Sequence, residues 1–218
     1  GQPPHSTHFF LVVESNGCFS PADSVLVAVL PKPIVDAGNI RNICTGDSVS
    51  LIGIVQQGIA TSYEWIPATG LNNANVLQPY ASPTFSGWYY LRAWNAVCPG
   101  DFDSVEVVVH DRPISLAGND SSICQGESLQ LQGNYTGGSV PVQMQWTPAA
   151  GLSGQNTLHP IASPTVSTLY YLDVSSGTGN TLCSSRDSVM ITVLPKPLAE
   201  IERDTQVVCA GQALQLTG

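Results

Sequence analysis

The sequence predicts an all-β protein made of tandem Greek-key β-sandwich modules in a linear array, and three observations predict it. A Trp-x-Pro-Ala-x-Gly-Leu string at 65–71 returns at 146–152, and Cys44 and Cys124 are 80 residues apart. A fixed period of this kind indicates an array of similar modules. No window of ten or more residues has the 3.6-residue period of a helix. Short β-branched and aromatic runs alternate instead with Gly, Pro and Asn clusters, which is typical of all-β proteins.

Two complete modules fit this period, at 34–113 and 114–197. Residues 1–33 match only the C-terminal half of a module, and residues 198–218 match only the N-terminal part of the next one. We therefore expect the chain to be a segment of a longer array. The joints are short and rich in proline, as in Leu-Pro-Lys-Pro at 194–197. Because proline restricts its own φ and the residue before it, such joints are stiff and predict a rod.

The module at 34–113 shows the expected strand order. Val49 and Leu51 are predicted to face inward, since serines flank them in alternation. Trp65, and Trp146 in the next module, are the predicted core anchors, because one large aromatic side chain commonly fills a small sandwich. The predicted strands cover 34–43 with an interruption at 37–38, a segment from 49, 63–65, 88–94 and 104–110, with short strands near 76–77 and 80–81 inside an irregular stretch.

Composition limits the partners of the chain. Charged residues make up 11% of the sequence, and seven Lys and Arg against 16 Asp and Glu give a net charge of −9. This balance argues against binding to nucleic acid or to an anionic membrane surface. No uninterrupted apolar run approaches ~18 residues, so we expect no membrane insertion.

Six cysteines recur at fixed places in the period, there is no Cys-x-x-Cys, and the four histidines occupy unrelated phases. This pattern argues against a zinc site and favours disulfides in an oxidising, extracellular location. Buried free thiols in a cytosolic protein are the alternative.

Disulfide pairing has two competing solutions. Tandem modules usually pair their cysteines internally, which here means Cys44–Cys98 and Cys124–Cys183. In a Greek-key sandwich, however, these cysteines lie at opposite ends of a module, ~25 Å apart, whereas a disulfide needs Cα atoms within ~7 Å. Strand order therefore favours Cys44–Cys183 across the joint. The remaining cysteines would then pair outside this segment or in a neighbouring subunit; they are Cys18, Cys98, Cys124 and Cys209.

Several motifs together resemble a known type of repeat. They are Asp-Ala-Gly at 36–38 followed by Cys44 and Gly-Asp-Ser-Val at 46–49, then the Trp-x-Pro-Ala-x-Gly-Leu string, Ser-Pro-Thr before an aromatic strand, and Asn-Gly-Cys at 16–18. Over essentially the whole chain they resemble the PKD-like, immunoglobulin-like repeats of Bacteroidota surface proteins, including gliding-motility adhesins and other cargo of the type 9 secretion system. The resemblance implies a secreted, cell-surface location and a role in adhesion or as a spacer.

Catalytic and metal-binding signals are weak. There is no Gly-x-Ser-x-Gly, no His-Glu-x-x-His and no histidine repeated at one phase. Repeated Asp and Ser residues are expected in turns for backbone reasons. We therefore predict no enzyme and no cofactor. Calcium is the one metal considered, at Asp101, Asp103 and Asp111, but their spacing matches no compact oxygen-ligand loop. The alternative is solvated turn carboxylates.

An Asp-Ser-Val triplet occurs four times, with its serine at Ser24, Ser48, Ser104 and Ser188. The triplet could simply begin a strand. Asp-Ser followed by an apolar residue also resembles the O-glycosylation signal of Bacteroidota secreted proteins, and the two interpretations are equally weighted. N-glycosylation sequons occur at Asn119 and Asn134, but we discount them.

Trp88 and Trp94 have no tryptophan counterparts in the next module, and their even spacing places them on one strand face. A strip on which glycans stack is one interpretation. Packing in the core or between modules is the favoured one.

The sequence therefore predicts a non-enzymatic structural repeat region of a secreted surface adhesin, stalk or extracellular filament. Its expected partners are neighbouring modules and other copies of itself, with surface glycans as a further possibility. The alternative is a spacer or carbohydrate-binding region of a secreted polysaccharide-degrading enzyme.

Overall fold

The computed structural model of the protein describes residues 4–96, 98–200, 207–213 and 215. The chain divides into two compact units, of which the first comprises Gly1–Asp111 and Gly179–Thr181. The second comprises Arg112–Thr178 and Leu182–Gly218. The described residues contain no α-helix, and a 3₁₀ turn over Gly179–Thr181 is their only helical segment. The all-β prediction is confirmed.

The first unit starts with a hairpin and continues as a sandwich. Its strands are β1 (Thr7–Leu11), β2 (Glu14–Ser15), β3 (Cys18–Phe19), β4 (Asp23–Val27), β5 (Ile34–Asp36), β6 (Arg41–Cys44), β7 (Val49–Ser50), β8 (Ile54–Gln57), β9 (Ser62–Ile66), β10 (Tyr80–Ala81), β11 (Gly87–Asn95), β12 (Cys98–Pro99) and β13 (Asp103–His110).

The sandwich of the first unit has one large sheet and a smaller layer. The large sheet has the order β9–β11–β13–β6, and β12 pairs with the end of β11. β6 runs parallel to β13, while β9 and β13 are antiparallel to β11. The smaller layer consists of β5 paired with β8 and β7 paired with β10. Strands distant in sequence are thus neighbours in the sheet, as in a Greek key.

The first sandwich strand divides at 37–38, as the Ala-Gly interruption predicted. Gly38 has a φ of +90°, and a Cβ there would lie 3.0 Å from the Ile52 carbonyl oxygen. Only glycine adopts this conformation at low cost. The Ala37 N–H donates to Asp103 Oδ2 at 2.7 Å, which ties the break to the first residue of β13. The chain therefore leaves β8 and continues beside β13.

The core of the first unit forms from alternating residues of its long strands. Trp65 lies at the centre of this core and is 1% exposed. Its indole N–H donates to the Val76 carbonyl oxygen at 3.0 Å. The strand predicted near 76–77 does not form, because this backbone turns inward and presents that carbonyl to the indole. Buried residues packed around Trp65 include Leu51, Tyr89, Leu91, Ala93, Val105 and Val107.

The second unit repeats this arrangement. Its large sheet has the order β15–β21–β20–β18, with β14 paired to β17 and β16 paired to β19. Its strands are β14 (Ile114–Leu116), β15 (Ser121–Cys124), β16 (Leu129–Gln130), β17 (Asn134–Thr136), β18 (Val142–Thr147), β19 (Ile161–Ala162), β20 (Thr168–Ser176) and β21 (Cys183–Leu194).

The second core is built from the equivalent residues. Trp146 is fully buried, and its indole N–H donates to the Thr157 carbonyl oxygen at 3.0 Å. Tyr170 is buried and donates its hydroxyl hydrogen to the Ala150 carbonyl oxygen at 2.9 Å. Burial raises the pKa of Tyr170, as it does for Tyr89 in the first unit. Both phenols therefore remain neutral donors well above neutral pH.

The hairpin of β1 and β4 exposes residues of a kind that the sandwiches bury. Phe9 is 46% exposed, whereas Tyr89 and Tyr170, at the matching sequence positions, are 3% and 0% exposed. Phe9 pairs with Val25, which is also exposed. The hairpin thus presents a core-type face without a covering layer among the described residues.

Candidate functional sites

The described residues contain no group of three or more His, Cys, Asp or Glu side chains placed to hold a metal ion. Of the three aspartates considered for calcium, Asp103 accepts the Ala37 N–H and Asp101 is exposed at the surface. The carboxylate of Asp103 therefore has a structural role. Among the residues that the structure describes, no helix is long and apolar enough to cross a membrane.

The Asp-Ser-Val triplets at 23–25 and 103–105 begin strands, the one at 47–49 leads into β7, and the one at 187–189 lies inside β21. Aspartates of these triplets accept hydrogen bonds from backbone N–H groups. Asp187 Oδ2 accepts the Ala117 N–H at 2.8 Å, which repeats the bond between Asp103 and Ala37. The valines that follow these two aspartates are buried. The serines are accessible to different degrees: Ser24, Ser48 and Ser188 are exposed, and Ser104 is half-buried.

The cysteines separate into two classes. Cys44 and Cys183 form one disulfide bond with each other. Free thiols among the described residues belong to Cys18, Cys98, Cys124 and Cys209.

Strand register excludes pairing within each unit. In the second unit, Cys124 pairs with Leu194 at one end of β21, and Cys183 is the first residue of that strand. Eleven residue steps separate these ends, or roughly 35 Å at ~3.3 Å per residue. In the first unit, Cys44 lies beside His110 at the end of β13, whereas Cys98 pairs with Asn95 beyond the other end of that strand. Both spans far exceed the ~7 Å that a disulfide allows.

Strand β11 carries aromatic residues on its outer face. Trp88 is 51% exposed, Tyr90 is exposed, and Trp94 is half-buried. Since these residues alternate with the buried Tyr89, Leu91 and Ala93, they point away from the core. Packing of Trp88 and Trp94 in the core, one part of the favoured interpretation, is therefore wrong, and packing between modules stays a prediction. We call the set Trp88, Tyr90, Arg92, Trp94 and Phe102 the aromatic face.

Arg92 is fixed at the centre of the aromatic face. Its guanidinium carbon lies 4.5 Å from the ring centroid of Trp94 and 4.4 Å from that of Phe102. Its Nη2 donates to Glu64 Oε2 at 3.1 Å, across the β9–β11 register that places these two residues opposite each other. The Nε of Arg92 is buried and has no hydrogen-bond partner among the described residues. The guanidinium is thus held flat with most of its donors unused.

A shallow cleft adjoins the aromatic face. It has a volume of about 400 Å³ and is lined by the loops at 67–70 and 82–87 together with Trp88. Phe85, also in its wall, is 82% exposed. Trp88 therefore belongs to both the cleft and the aromatic face.

The equivalent strand of the second unit has a different surface. Its outward positions are occupied by Leu169, Tyr171, Asp173 and Ser175. Asp173 accepts two hydrogen bonds from Arg186, at 2.7 and 2.9 Å, and these bonds raise the pKa of the Arg186 guanidinium. Aromatic residues at the positions of Trp88 and Trp94 are thus particular to the first unit.

Sequence spacing indicated the Trp88–Trp94 strip but not its central arginine. The Arg92–Glu64 pair depends on cross-strand register between residues 28 positions apart, and Phe102 reaches Arg92 from outside the strand. No local pattern signals such contacts.

No family model and no curated protein sequence matches this chain. Among solved structures, the I-band fragment I67–I69 from titin is 16% identical, with a TM-score of 0.41 over 77% of this chain and 67% of that chain. The insect immune protein hemolin is 12% identical, with a TM-score of 0.43 over 86% and 56% of the two chains. The C-terminal intimin fragment, solved with the intimin-binding domain of its translocated receptor, is 11% identical, with a TM-score of 0.47 over 74% and 63%. Similarity at this level carries no functional conclusion.

Proposed function

We propose that the chain is a non-enzymatic structural repeat region of a secreted surface adhesin, stalk or extracellular filament. The observation that carries this proposal is the set of residues that recurs at equivalent positions in the two units. The equivalent residues are core anchors, aspartates that bind backbone, and glycines at positive φ, as shown by Trp65 and Trp146 or by Gly38 and Gly118. All of these roles serve folding. An array whose repeated residues serve only folding is suited to giving length, rigidity and a surface for adhesion or self-association.

The proposed modules are 34–113 and 114–197, flanked by the C-terminal half of a module at 1–33 and the N-terminal part of another at 198–218. The exposed hairpin supports the first partial module, since Phe9 stands where the complete modules bury a tyrosine. In this proposal the uncovered face of the hairpin is a core face.

Disulfides between successive modules are the proposed bracing of the array. The Cys44–Cys183 bond supports this, together with the exclusion of pairing within each unit. By the same period, Cys98 and Cys18 would pair in one direction along the array, and Cys124 and Cys209 in the other, with cysteines of further modules or of a neighbouring subunit. Such bonds require an oxidising compartment, in agreement with an extracellular or cell-surface location.

The motifs shared with PKD-like repeats of Bacteroidota surface proteins support export by a type 9 secretion system. A spacer or carbohydrate-binding region of a secreted polysaccharide-degrading enzyme is the second candidate, and the aromatic face favours its carbohydrate-binding form.

Surface display and adhesion test the proposed function. On intact source cells, a membrane-impermeant amine label is expected to modify Lys32 and Lys196, and deletion of 34–197 in frame is expected to reduce attachment to surfaces while secretion continues. A cytosolic protein of the same cells serves as the control for leakage. Labelling only after lysis, or attachment unchanged by the deletion, would contradict the proposal.

O-glycosylation of Ser24, Ser48, Ser104 and Ser188 is a separate proposal, supported by the exposure of three of these hydroxyls. Intact mass of native material is expected to exceed the polypeptide mass by up to four equal glycan increments. Replacing Ser188 by alanine should remove one increment, whereas Ser184→Ala, on the same strand but outside an Asp-Ser-Val triplet, should remove none. A native mass equal to that of the bare chain would rule the modification out.

A further inference from the structure

We propose that the aromatic face of the first unit is a binding platform for a neutral glycan chain. The inference deepens the proposed adhesive role by naming a ligand class, and the structural role of the array does not depend on it. Four observations carry it: the face is dispensable for folding, its arginine is held in place, its area is small, and its charge is balanced.

Folding does not require these aromatic residues. The inward residues of β11 and β20 match closely, since Tyr89 and Leu91 correspond to Tyr170 and Leu172, and all four are buried. The outward residues differ: where the first unit has Trp88 and Trp94, the second has leucine and serine. The second unit builds the same sandwich without these tryptophans. Exposed tryptophans that a fold does not need are characteristic of binding surfaces.

The geometry of the face suits a flat ligand with hydroxyl groups. Aromatic rings offer apolar surfaces on which the C–H faces of sugar rings stack. Arg92 lies between two rings and is oriented by Glu64, so its guanidinium is positioned before any ligand arrives. Of its five N–H donors, one bonds to Glu64 and the Nε–H is buried, which leaves the three other N–H groups of Nη1 and Nη2 for sugar hydroxyls. Preorganisation of this kind lowers the entropic cost of binding.

Area separates a glycan from a folded protein partner. From Trp88 to Trp94 the strand rises ~20 Å, and four strands at ~4.8 Å spacing span about 14 Å between the outer two. The flat area is therefore roughly 300 Å², well below the ~800 Å² per partner of a typical protein interface. The adjoining cleft, with Phe85 in its wall, extends the platform along one direction. A narrow, elongated surface accommodates a single extended oligosaccharide.

Charge selects a neutral glycan. Arg92 is paired with Glu64, and Glu106 lies opposite Trp88 on β13, so the face has no net positive charge. An anionic polysaccharide or a nucleic acid would meet these carboxylates in a chain whose net charge is −9.

The full chain, titrated with neutral hexasaccharides of β-1,4-linked glucose, xylose, mannose and N-acetylglucosamine, tests the proposal by calorimetry and tryptophan fluorescence. At least one hexasaccharide is expected to bind. The double variant Trp88→Leu/Trp94→Ser, which installs the residues of the second unit, is expected to bind it at least about tenfold more weakly. Leu169→Ala, the matched change in the second unit, should leave the affinity unchanged, and polygalacturonate should not bind.

Absence of binding to all four hexasaccharides overturns the proposal, as does equal affinity in the double variant. Self-association that sedimentation shows to be lost in that variant, without glycan binding by the wild type, assigns the face to a second copy of the chain instead. Thermal unfolding of the double variant provides the folding control; if its Tm falls, the single change Trp88→Leu takes its place in the comparison. None of these results decides whether the chain is displayed on the cell surface or acts in adhesion, because the labelling and deletion experiment tests those properties separately.

Discussion

Pulling the oxidised chain by its two ends is expected to extend it far less than its length allows. The Cys44–Cys183 disulfide joins residues 139 positions apart, since 183 − 44 = 139. Force applied at the ends therefore passes through the sulfur–sulfur bond and does not load the backbone between these cysteines. Strands β7 to β20, including both buried tryptophans, lie inside this protected loop. The backbone inside this loop should therefore not extend while the bond is intact, whereas β5, β6 and β21 lie outside the loop and bear the force.

Single-molecule force spectroscopy in oxidising and reducing buffer measures this protection. Reduction should release about 139 residues, which is roughly 480 Å of additional contour length at ~3.5 Å per residue. The same bond should also stabilise the fold against denaturant by about 5 kcal/mol according to the loop-closure model for this length.

Cys44→Ser should give the long extension in both buffers, whereas Cys98→Ser, which removes a free thiol, should behave as the wild type. Full extension of the oxidised wild-type chain would contradict the disulfide and with it the proposed bracing of modules.

The features that could be predicted from sequence are those with a local or periodic signal. The aromatic and β-branched runs at 88–94 and 104–110 predict strands there, and the repeated string around Trp65 predicts the strand that carries it. The pairing of the disulfide could also be predicted from the sequence, because the period places its two cysteines at the ends of predicted strands. The segment at 76–77 was predicted wrongly, since its apolar pair looks like a strand while its backbone turns inward to serve the Trp65 indole. β8 had no alternating pattern and was not predicted.

The aromatic face shows the limit of that reasoning. The even spacing of Trp88 and Trp94 placed them on one side of a strand, but which side faces the core depends on the neighbouring residues and on the opposite layer. Alanine at 93 and tyrosine at 89 fill the inward positions, so the larger indoles remain outside. The expectation that these tryptophans pack in the core was therefore wrong, because strand phase decided the outcome.

Replacing Trp146 by alanine is expected to have the largest effect of any single substitution on the second unit. The side chain is fully buried, and its indole N–H satisfies the Thr157 carbonyl oxygen. Truncating a buried tryptophan typically lowers the free energy of unfolding by 3–5 kcal/mol, from lost apolar burial and the cavity left behind. A domain of ~80 residues has a stability of only about 4–12 kcal/mol, so the loss approaches the whole.

Denaturant unfolding followed by circular dichroism measures this loss, and two further variants separate its causes. Trp146→Phe keeps most of the apolar contact but leaves the Thr157 carbonyl without its donor, so it should cost about 1–3 kcal/mol. Trp88→Ala, at a 51% exposed position of the first unit, should change stability by no more than about 0.5 kcal/mol. If Trp146→Ala costs as little as Trp88→Ala, the second unit does not depend on its tryptophan, and the equivalence of the two cores that supports the repeat proposal is lost.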